Sequence, residues 1–166
     1  MFLASKSPPP QITSNITELD KIERISKYRS CYGHTTVPQN KKEMRRSMKH
    51  YFEVKQEYLG DKTVEIYAPF DGFVTNLRED RADGLEGEIW IVPKDAFVIL
   101  PPINRWSFSV QHINVKDGLK RGSEVKSGDL IGYAAVSPLN KRDTFDVVYA
   151  KGAMYPNQLI IGKVHF

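Results

Sequence analysis

The chain has 166 residues, of which 40% are apolar and 27% are charged. That length fits one domain, or one domain with a tail, and the apolar share is enough for a core, which excludes a wholly disordered chain. No stretch approaches the roughly 18 consecutive apolar residues of a membrane span. The single cysteine, Cys31, excludes an internal disulfide framework and any zinc site built from several cysteines.

Positive charge is concentrated in the first part of the chain. Residues 1–62 contain 12 Lys or Arg against 7 Asp or Glu, whereas residues 63–166 contain 12 against 13. The excess lies in the run 41–49, which we interpret as a solvated face or loop because no nucleic-acid-binding motif accompanies it. We therefore expect no nucleic-acid partner. Residues 1–8 are too short and too polar for the apolar region of a signal peptide, so no signal is visible.

The N-terminal part is predicted to form an arm before the folded body. Residues 1–17 are a predicted flexible tail, since they are rich in Pro, Ser, Thr and Asn. Residues 18–50 are predicted to hold one short helix, over 18–27, followed by an irregular basic segment. The helix is indicated by Thr17, which is typical of an N-cap, and by apolar residues three apart at Leu19, Ile22 and Ile25.

Short apolar runs bounded by turn residues dominate residues 51–166, which we interpret as one β domain. The runs fall at 51–58, 64–68, 73–77, 88–92, 96–100, 106–113, 130–136, 144–149 and 158–166. About nine short strands with a single helix predict an all-β sandwich or barrel.

One stretch has a period of three, which is neither helical nor that of a strand. The repeating residues are Leu119, Gly122, Val125, Gly128 and Ile131. The pattern predicts a wide, regular turn between strands, with the apolar side chains pointing inward and the glycines at the bends.

Two motifs in the β part resemble known turns. Residues 64–74, Val-Glu-Ile-Tyr-Ala-Pro-Phe-Asp-Gly-Phe-Val, resemble the V-x-A-P-x-D-G-x-V turn of barrel-sandwich hybrid domains, and residues 119–132 resemble their glycine-repeat return. In this order, with Gln-His-Ile at 111–113 between them, they resemble the duplicated hybrid motif of lysostaphin-type zinc metallopeptidases, which cut cell-wall peptide bridges. The resemblance covers roughly residues 50–150. It implies a barrel-sandwich hybrid fold.

The segment before these motifs resembles a divergent bacterial and archaeal branch of the same family. The similarity lies in Tyr-Gly-His at 32–34 and in Arg-Ser-Met-Lys-His-Tyr-Phe at 46–52, whereas Thr35 replaces an aspartate of that branch. Members of the branch look like secreted proteins, so the resemblance suggests a location outside the cytoplasm.

The resemblance also implies a catalytic zinc site, which this chain retains only in part. His50 matches the first zinc ligand, but Val54 stands where the family has an aspartate. Residues 144–146 read Thr-Phe-Asp where the family has His-x-His, so one catalytic imidazole is lost, while the carboxylate of Asp146 is still able to bind a metal. His112 matches the histidine that stabilises the transition state. From the residues alone, Asp146 needs a partner if it is buried, and a metal or a Lys or Arg would both serve.

Two functions therefore compete. The first is a degenerate metallopeptidase-like domain that acts as a non-catalytic binding module for a peptide, glycan or cell-envelope partner. Its groove would be lined by aromatic residues, namely Tyr51, Phe52, Tyr58, Trp90 and Trp106. The second is a zinc-dependent peptidase or amidase acting on cell-wall peptides, with His34, His50 and Asp146 as ligands and His112 assisting. The missing histidine and aspartate favour the first.

Three other functions each lack a required group. A phosphocarrier of the same fold needs two facing histidines, and residues 88–100 offer no partner for His112. A biotin or lipoyl carrier needs a lysine at a hairpin tip, whereas Lys49 precedes the predicted barrel. A nucleophile pair of Cys31 with His34 has no evident oxyanion hole.

Overall fold

The computed structural model describes residues 9–36, 46–47, 49–80, 86–97, 106–139 and 142–151. Within these ranges the chain consists of antiparallel strands, and its longest helix has four residues. No helix in the same ranges has the length and apolarity needed to cross a membrane.

Eleven strands and three helical turns lie in the described part of the chain. The strands are β1 (Ile22–Ile25), β2 (Thr35–Thr36), β3 (Arg46–Ser47), β4 (His50–Val54), β5 (Glu65–Tyr67), β6 (Gly72–Asp80), β7 (Glu86–Pro93), β8 (Trp106–Val115), β9 (Glu124–Val125), β10 (Leu130–Ala134) and β11 (Thr144–Lys151). The turns are two 3-10 turns (Leu19–Lys21 and Gln56–Tyr58) and α1 (Lys94–Phe97).

The largest sheet has the strand order β1-β4-β11-β8-β7-β6-β9. Strand β8 pairs with two strands in succession, because residues 106–111 pair with β11 and residues 113–115 pair with β10, which also pairs with β5. At the junction, His112 has a φ of 62° and is left out of the pairing with β7. An extra residue of this kind bends a strand. This topology confirms the predicted all-β fold of the sandwich or barrel type.

The core lies on one side of the central strands. Alternate residues of a strand point to opposite faces. On β8 this rule buries Phe108 and Val110 completely, and on β11 it buries Phe145 and Val147. Phe145 stacks on Phe52 of β4 with 5.0 Å between the ring centroids. The residues that alternate with these, such as Gln111 on β8 and Asp146 on β11, therefore point to the other face.

The turn with a period of three has the predicted form. Val125 and Ile131 are buried, Leu119 packs against the core, and the bends at Gly122 and Gly128 have φ values of 91° and 85°. The same turn contacts the other hybrid-type motif. The N–H of Gly122 donates to the carbonyl oxygen of Val74 at 2.7 Å, and the N–H of Gly128 donates to that of Ala68 at 2.9 Å. The two motifs that carried the resemblance are thus neighbours in the fold.

The predicted helix over 18–27 is wrong. Only the 3-10 turn Leu19–Lys21 is helical, and the chain continues as strand β1, paired with β4. Leu19 and Ile25 are exposed, so the spacing of three does not bury one face, and only Ile22 reaches the core. A ten-residue helix is marginal alone, whereas β4 offers an edge for pairing. Thr17 does not cap a helix. It is buried, and its Oγ1 donates to the carbonyl oxygen of Glu65 at 2.8 Å.

One predicted strand begins as a helical turn, and another lies outside the described residues. In the run 96–100, residues 94–97 form the turn α1, and residues 98–100 lie outside the described residues. The run 158–166, the segment 41–45 of the basic run and residues 1–8 of the tail also lie outside them.

The stacked pair at the core gives a stability prediction. Replacing Phe145 with Ala removes a fully buried ring, and we expect a loss of about 3–5 kcal/mol in the free energy of unfolding, measured by urea denaturation. The control is Leu139→Ala, whose side chain is 95% exposed and whose effect should stay within about 0.5 kcal/mol. Similar losses in both variants would contradict this placement of the core.

Candidate functional site

The face of the sheet opposite the core carries a row of polar side chains. Asp146 on β11 lies opposite Tyr51 on β4 and Gln111 on β8, and Gln111 lies opposite Glu88 on β7. Directly opposed residues on antiparallel strands share a face. We call this row, together with Lys49, the polar row. It crosses four strands, and two of its carboxylates are buried, since Asp146 is 1% exposed and Glu88 is 9% exposed.

A lysine neutralises the more deeply buried carboxylate. Lys49 immediately precedes β4, and its Nζ donates to Oδ2 of Asp146 at 2.8 Å and also to Oε1 of Gln111. Of the two partners that the sequence allowed for Asp146, a metal or a basic side chain, the structure contains the basic side chain. The Lys49 side chain is 18% exposed, so this ion pair lies largely out of water. Such a pair is stable only when its remaining hydrogen bonds are well made.

Hydrogen bonds extend the row to β7. Nε2 of Gln111 donates to Oε1 of Glu88 at 2.9 Å, and Nε1 of Trp90 donates to the same oxygen at 2.6 Å. The amide of Gln111 thus links the lysine on one side to the second carboxylate on the other. Trp90 is half-buried and borders the row.

Two buried oxygen atoms on this face lack a hydrogen-bond partner among the described residues. They are Oδ1 of Asp146 and Oγ of Ser109. Ser109 is 2% exposed and lies opposite Trp90 on one neighbouring strand and opposite Val148 on the other. A buried polar atom without a partner destabilises the fold, so this face has unused hydrogen-bonding capacity.

His50 does not lie on the polar row. It pairs with Val147, whereas Asp146 pairs with Tyr51, so His50 and Asp146 point to opposite faces of the sheet. The Nδ1 atom of His50 lies 2.9 Å from the carbonyl oxygen of Ser26, and its ring centroid is 6.0 Å from that of Tyr28. Burial raises the pKa of the Tyr28 phenol. These contacts give His50 a packing role at the start of β4.

His34 approaches the row through its backbone. Its N–H donates to the hydroxyl of Tyr51 at 2.8 Å, while its side chain is exposed. The preceding Gly33 has a φ of 70°, and a Cβ there would lie 2.2 Å from Cζ of the Tyr51 ring. Only glycine allows the loop to cross this ring so closely. The close contact with Tyr51 therefore explains the glycine in the Tyr-Gly-His segment.

An open recess borders the same ring. It has a volume of about 250 Å³ and is lined by Arg24, Ser26, Lys27, Ser30, Tyr32, Tyr51 and Glu53. The hydrogen bond from Arg24 Nε to Glu53 Oε2, at 2.6 Å, raises the pKa of Arg24. Tyr32 is 43% exposed and meets Tyr51 edge-on, so the recess offers an aromatic wall beside charged groups.

The described residues do not fit the expected metal site. No group of three or more His, Cys, Asp or Glu side chains in the described ranges is arranged to hold a metal ion. His50 and Asp146 point to opposite faces of the sheet, and Lys49 places a positive charge on the one carboxylate of the expected ligand set. His112 is half-buried at the bend of β8, next to Gln111. Its catalytic role stays a prediction.

Sequence reasoning missed most of the polar row. Tyr51 and Trp90 were predicted to line a groove and lie on this face, but Phe52 is in the core and Trp106 is buried against Tyr149. Lys49, Gln111 and Glu88 were not singled out for this site. The available signal was the position of Lys49 within residues 46–52 and of Gln111 beside His112.

Two solved structures are similar to this fold. The sequence matches no protein-family model and no curated protein. The solution structure of lysostaphin is similar at a TM-score of 0.53 and 13% identity, over 80% of this chain and 45% of that one. The crystal structure of Helicobacter pylori Csd3 is similar at a TM-score of 0.53 and 19% identity, over 92% of this chain and 36% of that one.

These similarities confirm that the chain has a lysostaphin-type peptidase-like fold. The chain spans less than half the length of either of these proteins. A shared fold does not establish a shared activity. Evidence for the function must come from the chemistry of the polar row and its surroundings.

The ion pair gives the first prediction for this site. In Lys49→Met, Asp146 keeps a buried charge without a partner, and we expect a loss of roughly 3 kcal/mol in the free energy of unfolding. Adding Asp146→Asn should recover much of this loss because the charge is removed. The control is Lys94→Met, which breaks the exposed pair with Glu124 and should change stability far less, because exposed ion pairs contribute little. Equal effects of the two lysine variants in urea denaturation would refute a buried pair.

Gly33 gives the second prediction. Gly33→Ala combines a left-handed backbone with a collision against the Tyr51 ring, whereas Gly118→Ala, with a φ of 84° and nothing within 4 Å, has only the backbone strain. That strain alone is worth about 1–2 kcal/mol. We expect Gly33→Ala to destabilise the protein clearly more than Gly118→Ala in thermal unfolding. Indistinguishable melting temperatures would show that the loop does not cross the ring as described.

Proposed function

We propose that this chain is a degenerate peptidase-like domain that binds, without cleaving, a peptide, glycan or protein partner of the cell envelope. The observation that carries the proposal is the contact of the Lys49 ammonium with Oδ2 of Asp146. Asp146 is the position that the resemblance matches to the late metal ligand. An ammonium already supplies the positive charge there, and it cannot polarise and deprotonate a water as a metal ion does.

Three further features support binding rather than catalysis. Thr144 stands in place of a catalytic imidazole, and His50 points away from Asp146. The recess beside Tyr51 offers Tyr32 as an exposed aromatic wall, with Arg24 and Lys27 as charged rims. Aromatic rings beside a few polar groups are typical of ligand sites. A partner in the cell envelope is proposed because the sequence resembles lysostaphin-type peptidases and the fold is similar to that of lysostaphin.

The test is co-sedimentation of the purified chain with isolated cell-wall sacculi. We expect the wild-type chain to sediment with the sacculi and to release no soluble peptide fragments, with or without added zinc. Tyr32→Ser should weaken sedimentation, because it removes the exposed wall of the recess. Leu139→Ser, a change at a 95% exposed side chain, is the control and should bind like wild type.

Two outcomes of this experiment would overturn the proposal. Failure of the wild-type chain to sediment would remove the binding function for this partner. Zinc-dependent release of fragments, abolished in His50→Ala, would instead support the alternative of a peptidase or amidase with an altered ligand set. Metal content of wild type and His50→Ala, measured by elemental mass spectrometry, separates these cases independently of activity.

A further inference from the structure

The polar row contains one more negative charge than positive charge. Lys49 and Asp146 compensate each other through their direct contact. Glu88 is only 9% exposed, and within the described ranges its hydrogen-bond donors are neutral, namely the amide of Gln111 and the indole of Trp90. Arg78 lies opposite Glu88 on β6, but its side chain is exposed and no ion pair joins the two in the described structure. A buried carboxylate without a cation is unfavourable.

A second observation points to a missing donor on the same face. Oδ1 of Asp146 and Oγ of Ser109 are buried, and neither has a partner among the described residues. Asp146 is 1% exposed and Ser109 is 2% exposed, so both side chains are almost completely buried. Asp146 Oδ1 is an acceptor only. The Ser109 hydroxyl can donate or accept, so the acceptor that lacks a donor is the Asp146 oxygen. A primary ammonium group supplies three donors and one positive charge, which matches the two features of this face.

The charge balance favours an ammonium over a divalent ion. One monovalent cation brings the row to neutrality, whereas a divalent ion would leave an excess and would stand near the Lys49 ammonium. The row already binds one ammonium through a carboxylate oxygen and an amide oxygen, because the Nζ of Lys49 donates hydrogen bonds to Asp146 and Gln111.

Trp90 provides the apolar part of such a site. Its Nε1 is fixed 2.6 Å from Oε1 of Glu88, and the side chain is half-buried rather than enclosed. An indole ring beside a carboxylate can cover the alkyl stem of a lysine-like side chain and attract its charged end.

From these observations we infer that Glu88, with Trp90 beside it, forms a subsite for a primary ammonium group carried by the ligand, such as the side-chain amine of a diamino acid in a peptide. This inference rests on the proposed binding function, of which it specifies the ligand chemistry. Glu88 accepts the ammonium, and the unpartnered oxygens of Asp146 and Ser109 lie on the same face.

The experiment titrates the ¹⁵N-labelled chain with n-butylammonium chloride and, separately, with 1-butanol at matched ionic strength. The indole N–H resonance of Trp90, assigned by its loss in Trp90→Phe, reports on the subsite. We expect a saturable shift with n-butylammonium and none with 1-butanol. Glu88→Gln keeps the shape of the side chain and should weaken the affinity about tenfold or more. Glu57→Gln, at an exposed carboxylate, is the control and should have no effect.

Each contrary outcome overturns the subsite. These outcomes are no saturable shift in the wild type, an equal response to 1-butanol, or unchanged affinity in a Glu88→Gln chain that still melts cooperatively. A shift seen only in Arg78→Gln would mean that Arg78 already neutralises Glu88, and it would also overturn the subsite.

Peptides separate this inference from the proposed function. Acetyl-Gly-Lys-Gly-amide should bind at least about tenfold more tightly than the norleucine analogue, which lacks only the amine. If n-butylammonium binds but sacculi do not, the subsite stands and the proposed function fails. If sacculi bind wild type and Glu88→Gln equally while n-butylammonium gives no shift, the binding function stands and the ammonium subsite is wrong.

Discussion

The alternation of side chains along β8 is the constraint on which the rest of the molecule depends. Phe108 and Val110 point into the core, and the alternating residues Ser109 and Gln111 point away from it. Because β8 lies between β11 and β7, this single alternation places Gln111 between Asp146 and Glu88. A shift of register by one residue would exchange the two faces completely. The dry core and the polar row are thus two consequences of the same pairing.

The polar row contains its own cation, the Lys49 ammonium, at the carboxylate of Asp146. A metal ion exchanges with solvent and polarises what it binds. The Lys49 ammonium is covalently part of the chain, and its burial beside Asp146 is favourable only while both partners remain in place. The arrangement therefore fixes the geometry of the row before any ligand arrives. Such preorganisation lowers the ordering cost of binding a ligand at this face.

Much of the fold could be predicted from local patterns. The apolar runs at 73–77, 106–113 and 144–149 lie within strands, and the period of three over 119–131 predicted the glycine turn, because these signals are local. The helix over 18–27 failed for the opposite reason. The spacing of its apolar residues was compatible with a helix, but pairing with β4, about thirty residues away in sequence, decided the structure.

The site was less predictable, because it depends on register between distant segments. The need of Asp146 for a partner followed from its sequence neighbours, but the identity of that partner did not. Lys49 is 97 residues from Asp146 in sequence, and no local pattern relates the two. The family resemblance directed attention to His50 instead. Its placement on the opposite face follows from the pairing with Val147, which only the structure supplies.

The segment before β1 has a consequence for how the chain acquires its structure. The N–H of Thr13 donates to the carbonyl oxygen of Pro69, and the hydroxyl of Tyr149 donates to that of Pro10, across 139 residues. Contacts of such long range slow folding, because loop-closure entropy is lost before the contacts form. During synthesis on the ribosome, residues 10–13 must wait for β11 to emerge before their last partner exists. Pro10 therefore gains this contact only after nearly all of the described chain has been synthesised.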